Sequence, residues 1–128
     1  MPRISYAFFT LAALCGTTGM VWGIWMGSSE QMASYPGHAH LNALGWLGLS
    51  VMGAFYALAA GSAPRRLAWA NFTFSALGAT TLPLGIALIL TGHRDAVPLA
   101  IVGGLLALIG MLLFLAAILT AWRRSEHA

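Results

Sequence analysis

Two histidines, an asparagine and a tryptophan stand close together in Pro36-Gly37-His38-Ala39-His40-Leu41-Asn42-Ala43-Leu44-Gly45-Trp46. A neutral imidazole is the commonest protein ligand for iron, copper or zinc, and its second ring nitrogen is usually held by a hydrogen bond. On a regular helix, residues two apart diverge by about 200°, so His38 and His40 project to nearly opposite sides and cannot grip one small ion together. They could instead serve two sites, or the faces of two neighbouring chains. His38, Asn42 and Trp46, spaced by four, form one stripe, while His40 shares its face with Ala43 and Leu47. The plainer alternative is a pair of polar residues closing a helix end, but His-x-His followed by Asn and Trp favours a binding site. The single cysteine, Cys15, excludes an intramolecular disulfide and any CxxC metal site; it reads as a buried apolar thiol. The six methionines show no clustering of thioether ligands.

The surroundings of these residues follow from the scarcity of charge. Only nine of 128 residues carry a formal charge, six Arg and three Asp or Glu, in a chain that is 59% hydrophobic. The charge-free windows run 26 residues from Arg3 to Glu30, 34 from Glu30 to Arg65, 27 from Arg66 to Arg94 and 27 from Asp95 to Arg123. A membrane-spanning helix needs about 20 predominantly apolar residues, whereas a soluble domain is about a quarter charged. The composition excludes a soluble enzyme, a nucleic-acid module, a disordered chain and a disulfide scaffold. It predicts an all-α, four-helix antiparallel transmembrane bundle forming one domain over residues 1–128, with spans near 4–27, 38–60, 67–91 and 98–122. Connections of six to ten residues make sequential helices antiparallel neighbours.

Five of the six arginines, Arg3, Arg65, Arg66, Arg123 and Arg124, fall on one side of this arrangement; only Arg94 falls on the other. Short loops rich in arginine stay cytoplasmic, which predicts an inner (plasma) membrane protein with both termini inside and loops 28–37 and 92–97 outside. The basic balance is therefore a topology signal, helped by anionic lipid, and calls for no nucleic-acid partner. Leu14-Cys15 is a poor lipoprotein box and the apolar run continues beyond it, so residues 4–27 are expected as a retained helix. His93 lies on the same outer side as His38 and His40. It is a third ligand candidate, though a solvated loop histidine explains it more simply; His127, in the tail, is assigned no role.

Gly19-x-x-x-Gly23-x-x-x-Gly27 in the first span would allow close helix contact, within or between chains. Gly103, Gly104 and Gly110 are a weaker case in the fourth. Pro83 is expected to kink the third span, with Thr80 and Thr81 available to satisfy the freed backbone. Tyr6, Trp22, Trp25, Trp69 and Trp122 lie near span ends and read as interfacial anchors.

The second span resembles the histidine-bearing helices of the heme-copper oxidase catalytic subunit (subunit I). In particular, His38-Ala39-His40 is similar to that family's His-x-His helix, which supplies one histidine to each of two hemes. The resemblance covers about 20 residues of one helix. It implies heme b as cofactor, with copper as the other metal, and a homotrimer whose twelve helices would mimic the large subunit. In such a trimer His40 of one chain and His38 of the next would face each other across a heme. The spans contain no Asp or Glu for a proton relay, and the family's His–His and His–Tyr copper-site patterns are absent, so an oxidase activity is left open and a proton pump is not expected.

These readings converge on a b-type heme protein for electron transfer or O₂/NO binding, with a redox partner in the former case. His38 and His40 would be ligands, and Asn42 and Trp46 would orient a ligand or pack the porphyrin. Two rivals stand beside it. One is a cofactor-free assembly or interaction subunit. The other is a small Cu/Zn protein using His38, His40 and His93.

Overall fold

The computed structural model describes residues 1–59 and 61–126, which leaves His127 outside the described residues. Four long helices make up the chain: α1 (Arg3–Ser29), α2 (Tyr35–Leu58), α3 (Arg65–Leu90) and α4 (Val97–Ser125). All four are long and apolar enough to cross a membrane, and each lies within a few residues of its predicted span. Their ends have local causes. Glu30 adopts a left-handed conformation after α1, φ 58°, and Gly92 (φ 104°) does the same just after α3. Proline occupies the first turn of α2 and of α4, where the missing N–H costs nothing.

Most of the apolar surface faces outward. Only 17% to 33% of each span's most apolar window is buried inside the protein, the reverse of a water-soluble core and what a hydrocarbon solvent permits. The interior is consequently built of small residues and a few aromatics. Phe8 stacks on Tyr56 at 5.5 Å and meets Phe72 edge-on at 5.1 Å, within a core that includes Ala12, Leu49, Met52, Ala79 and Ala117.

Close backbone approach organises the bundle into two antiparallel pairs. Between α3 and α4, Gly78 faces Ala107, Gly85 faces Ala100, Gly103 faces Leu82 and Gly110 faces Ser75, one continuous register in which an added Cβ would meet the facing backbone. Gly78 and Gly85 on one helix, and Gly103 and Gly110 on the other, are each seven residues apart, two helical turns. This seam is tighter than expected, and Gly104 takes no part in it, its nearest neighbour standing 4.0 Å from an added Cβ. Between α1 and α2 the contacts are Phe8 with Gly53, Cys15 with Gly45, Gly16 with Trp46, Gly19 with Asn42 and Gly23 with His38. The glycine stripe of α1 thus serves an intramolecular contact, and Gly27 lies beyond it with nothing within 4 Å.

Pro83 is accommodated in an unbroken helix over Arg65–Leu90. The hydroxyls of Thr80 and Thr81 donate to the carbonyls of Ala76 and Leu77, not to that of Ala79, the one a proline at 83 deprives of its partner.

Candidate functional site

Helix α2 changes its winding within the histidine segment. Tyr35–His40 is regular α-helix, Leu41–Gly48 is π-helix, and Leu49–Leu58 returns to α. The expected divergence of His38 and His40 therefore applies, because both lie in the regular turn. Within the π segment, Gly45 lies against the Cβ and Sγ of Cys15 in α1, each 2.8 Å from where a Cβ would be. The wider winding straightens the polar stripe. In an α-helix, residues four apart drift by about 40°; an i→i+5 turn takes more than four residues and reduces that drift. Asn42 and Trp46 thus follow His38 along the side that faces α1. Wide turns of this kind concentrate at functional sites.

His38 is half-buried and turned toward its own chain. Its ring lies edge-on to Trp22 with centroids 6.0 Å apart, and tilted against Tyr35 at 6.1 Å. Its Cε1 covers Gly23, 3.0 Å from the position of an added Cβ. Asn42, also half-buried, donates its amide to the His38 carbonyl at 2.9 Å and lies 3.4 Å from the ring Nδ1. Trp46 is 47% exposed, the covered part of its indole resting on Gly16. Trp22 is not a simple interfacial anchor: half-buried, it donates to the Ser34 hydroxyl at 3.1 Å. Gly37 fixes the height of this end of α2, with the Pro83 carbonyl 2.7 Å from where a Cβ would stand.

His40 is arranged differently. It is exposed, and its Nδ1 is 2.7 Å from the Pro36 carbonyl one turn earlier. A carbonyl only accepts, so the neutral ring carries its proton on Nδ1, and Nε2 keeps its lone pair. This arrangement matches that of metal-bound histidines, whose second nitrogen donates to a carbonyl or carboxylate.

The remaining candidates do not join these two within one chain. His93 is exposed in the turn before the short 3₁₀ segment Arg94–Ala96. Among the described residues, no three His, Cys, Asp or Glu side chains are grouped so as to hold a metal ion. Neither of the two larger cavities is lined by His38 or His40.

One polar cluster escaped the sequence reading, which singled out neither Asn71 nor Tyr56 nor Ser75. Asn71 of α3 is fully buried. Its side-chain oxygen accepts from the Tyr56 hydroxyl at 3.1 Å, and its amide donates to the Gly110 carbonyl at 2.7 Å and to the Ser75 hydroxyl at 3.1 Å. It ties α2, α3 and α4 together. An asparagine well inside an apolar window was the available signal. With its amide and carbonyl both bonded, Asn71 acts as structural glue between helices.

No protein-family profile, curated protein or solved structure matches this chain. The chemistry of the site thus rests on its own geometry.

Proposed function

We propose that the chain is a membrane b-type heme protein of the inner membrane, assembled as a homotrimer, in which His40 binds the heme iron. The observation that carries this reading is the hydrogen bond between His40 Nδ1 and the Pro36 carbonyl. It leaves Nε2 as a fixed, outward-facing electron pair on an exposed helix face. Bound there, heme would supply one-electron transfer, or an iron centre for O₂ or NO. The inward packing of His38 argues for a positioning role, holding the first turn of α2 against Trp22, Tyr35 and Gly23. That narrows the ligand pair expected from the resemblance to one histidine per chain. A cyclic trimer does not set one His40 against another, so a second iron ligand would come from another residue, and a single His40 would leave the iron open to a gas. Trp46 shares the stripe that faces α1, away from His40, and Asn42 would steady the helix through the His38 carbonyl.

The test is heme content per chain in purified variants. His40→Ala should lose at least ten-fold of its heme. His38→Ala should retain it, with a lower unfolding temperature. Full heme in His40→Ala overturns the ligand assignment.

A second reading has its own support. The stripe His38–Asn42–Trp46 is matched residue for residue by Gly23, Gly19 and Gly16, and helix packing alone accounts for that complementarity. On this reading the chain is a cofactor-free assembly subunit, colourless when pure and recovered together with another membrane protein. A Cu/Zn site of His38, His40 and His93 has no comparable support, since His38 turns inward while His93 lies in the α3–α4 turn.

A further inference from the structure

At the end of the bundle that carries both termini, a cavity of about 530 Å³ opens among the ends of all four helices. Its volume suits a small molecule or a lipid headgroup. Three of its lining residues are arginines, Arg3, Arg65 and Arg124, and none is acidic. They come from three different helices, so the fold gathers charge that the sequence leaves far apart. Arg124 is held in place by donating Nη1 to the Ser62 carbonyl at 3.1 Å.

Two helix starts add to this charge. Helices α1 and α3 both begin at the cavity, after Pro2 and Pro64, and neither has a side-chain cap or an acidic residue in its first turn. The first N–H groups of a helix lack internal partners and carry the positive end of its dipole. The opposite wall is apolar and aromatic, formed by Ala63, Ala68, Tyr56 and Trp69. Guanidinium groups and backbone N–H donors are the usual recognition elements for phosphate, and the apolar wall suits the glycerol and upper acyl region of a lipid.

We propose that this cavity binds a phosphate group, the headgroup phosphate of an anionic membrane lipid. Arg65 and Arg124 clamp its oxygens, while Trp69 packs along the chain below. Arg66 and Arg123, exposed and next in sequence to two of the clamp residues, do not line the cavity and serve as matched controls.

The experiment is thermal unfolding of delipidated protein in neutral detergent, titrated with phosphatidylglycerol, phosphatidylcholine or inorganic phosphate. Phosphatidylglycerol should raise the unfolding temperature by several degrees more than phosphatidylcholine. Arg65→Gln with Arg124→Gln should weaken half-saturation at least ten-fold, and Arg66→Gln with Arg123→Gln, the same change in charge, should leave it within two-fold. A response to phosphate alone supports the site and assigns it to a soluble phosphate compound. Equal weakening in both pairs, or no response to either anion, overturns it. Native mass spectrometry of the unaltered protein decides the matter even if a variant fails to fold: equal retention of the two lipids contradicts the proposal.

Discussion

The Asn42 carboxamide of α2 lies directly over the Cα of Gly19 in α1, its nearest atoms 2.6 Å from where a Cβ would stand. That one contact joins the helix-packing stripe to the candidate site, because the same carboxamide holds the His38 carbonyl at 2.9 Å. Gly19→Ala should displace the Asn42 carboxamide, break its bond to the His38 carbonyl and cost about 0.5–1.5 kcal/mol, the usual net worth of a hydrogen bond. Gly27→Ala should be neutral, having nothing within 4 Å. Unfolding in detergent measures both.

Adjacent glycines of α4 offer a sharper contrast. Gly103 lies on the Leu82 backbone, while Gly104 has open space. Gly103→Ala should cost about 1–3 kcal/mol by overpacking. Gly104→Ala should be neutral or stabilise by a few tenths to about 1 kcal/mol, the difference in helix propensity. Equal effects on the unfolding midpoint would deny the α3–α4 register.

The four long apolar helices were legible in the sequence because each fills a window free of charge, so Arg3, Glu30, Arg65, Arg94 and Arg123 stand at or near their ends. The divergence of His38 and His40 was legible too, as a consequence of helical period. What period alone does not tell is which side of a helix meets a neighbour. The inward turn of His38 needs Gly23 and Trp22 of α1 in place, and the seven-residue spacing of Gly78 and Gly85 acquires meaning only opposite Ala107 and Ala100. Nor does period announce the π segment, within which Gly45 meets Cys15, 30 residues earlier.

Asn71 joins three helices through Tyr56, Ser75 and Gly110. Asn71→Leu should leave the Tyr56 hydroxyl unpaired in a dry interior and cost about 1–3 kcal/mol. Tyr56→Phe removes one bond from the same cluster and should cost about 0.6 kcal/mol, the average for such bonds in a membrane protein. Chemical denaturation in mixed micelles would rank the two, and a Tyr56→Phe loss as large as that of Asn71→Leu would contradict the assigned geometry.

The arginine distribution predicts the orientation. In a Cys15→Ala background, Ser125→Cys should react with a membrane-impermeant maleimide only after the cells are opened, and Gly92→Cys should react in intact cells. The reversed pattern would place the termini outside.

The account's central claim is that His40 presents Nε2 to a heme. The most direct measurement is the visible absorption spectrum of the protein purified in mild detergent after expression with ample heme. A Soret band with sharpened α and β bands on dithionite reduction, lost in His40→Ala, is the predicted result. A colourless protein under those conditions, or a spectrum unchanged by His40→Ala, would contradict it.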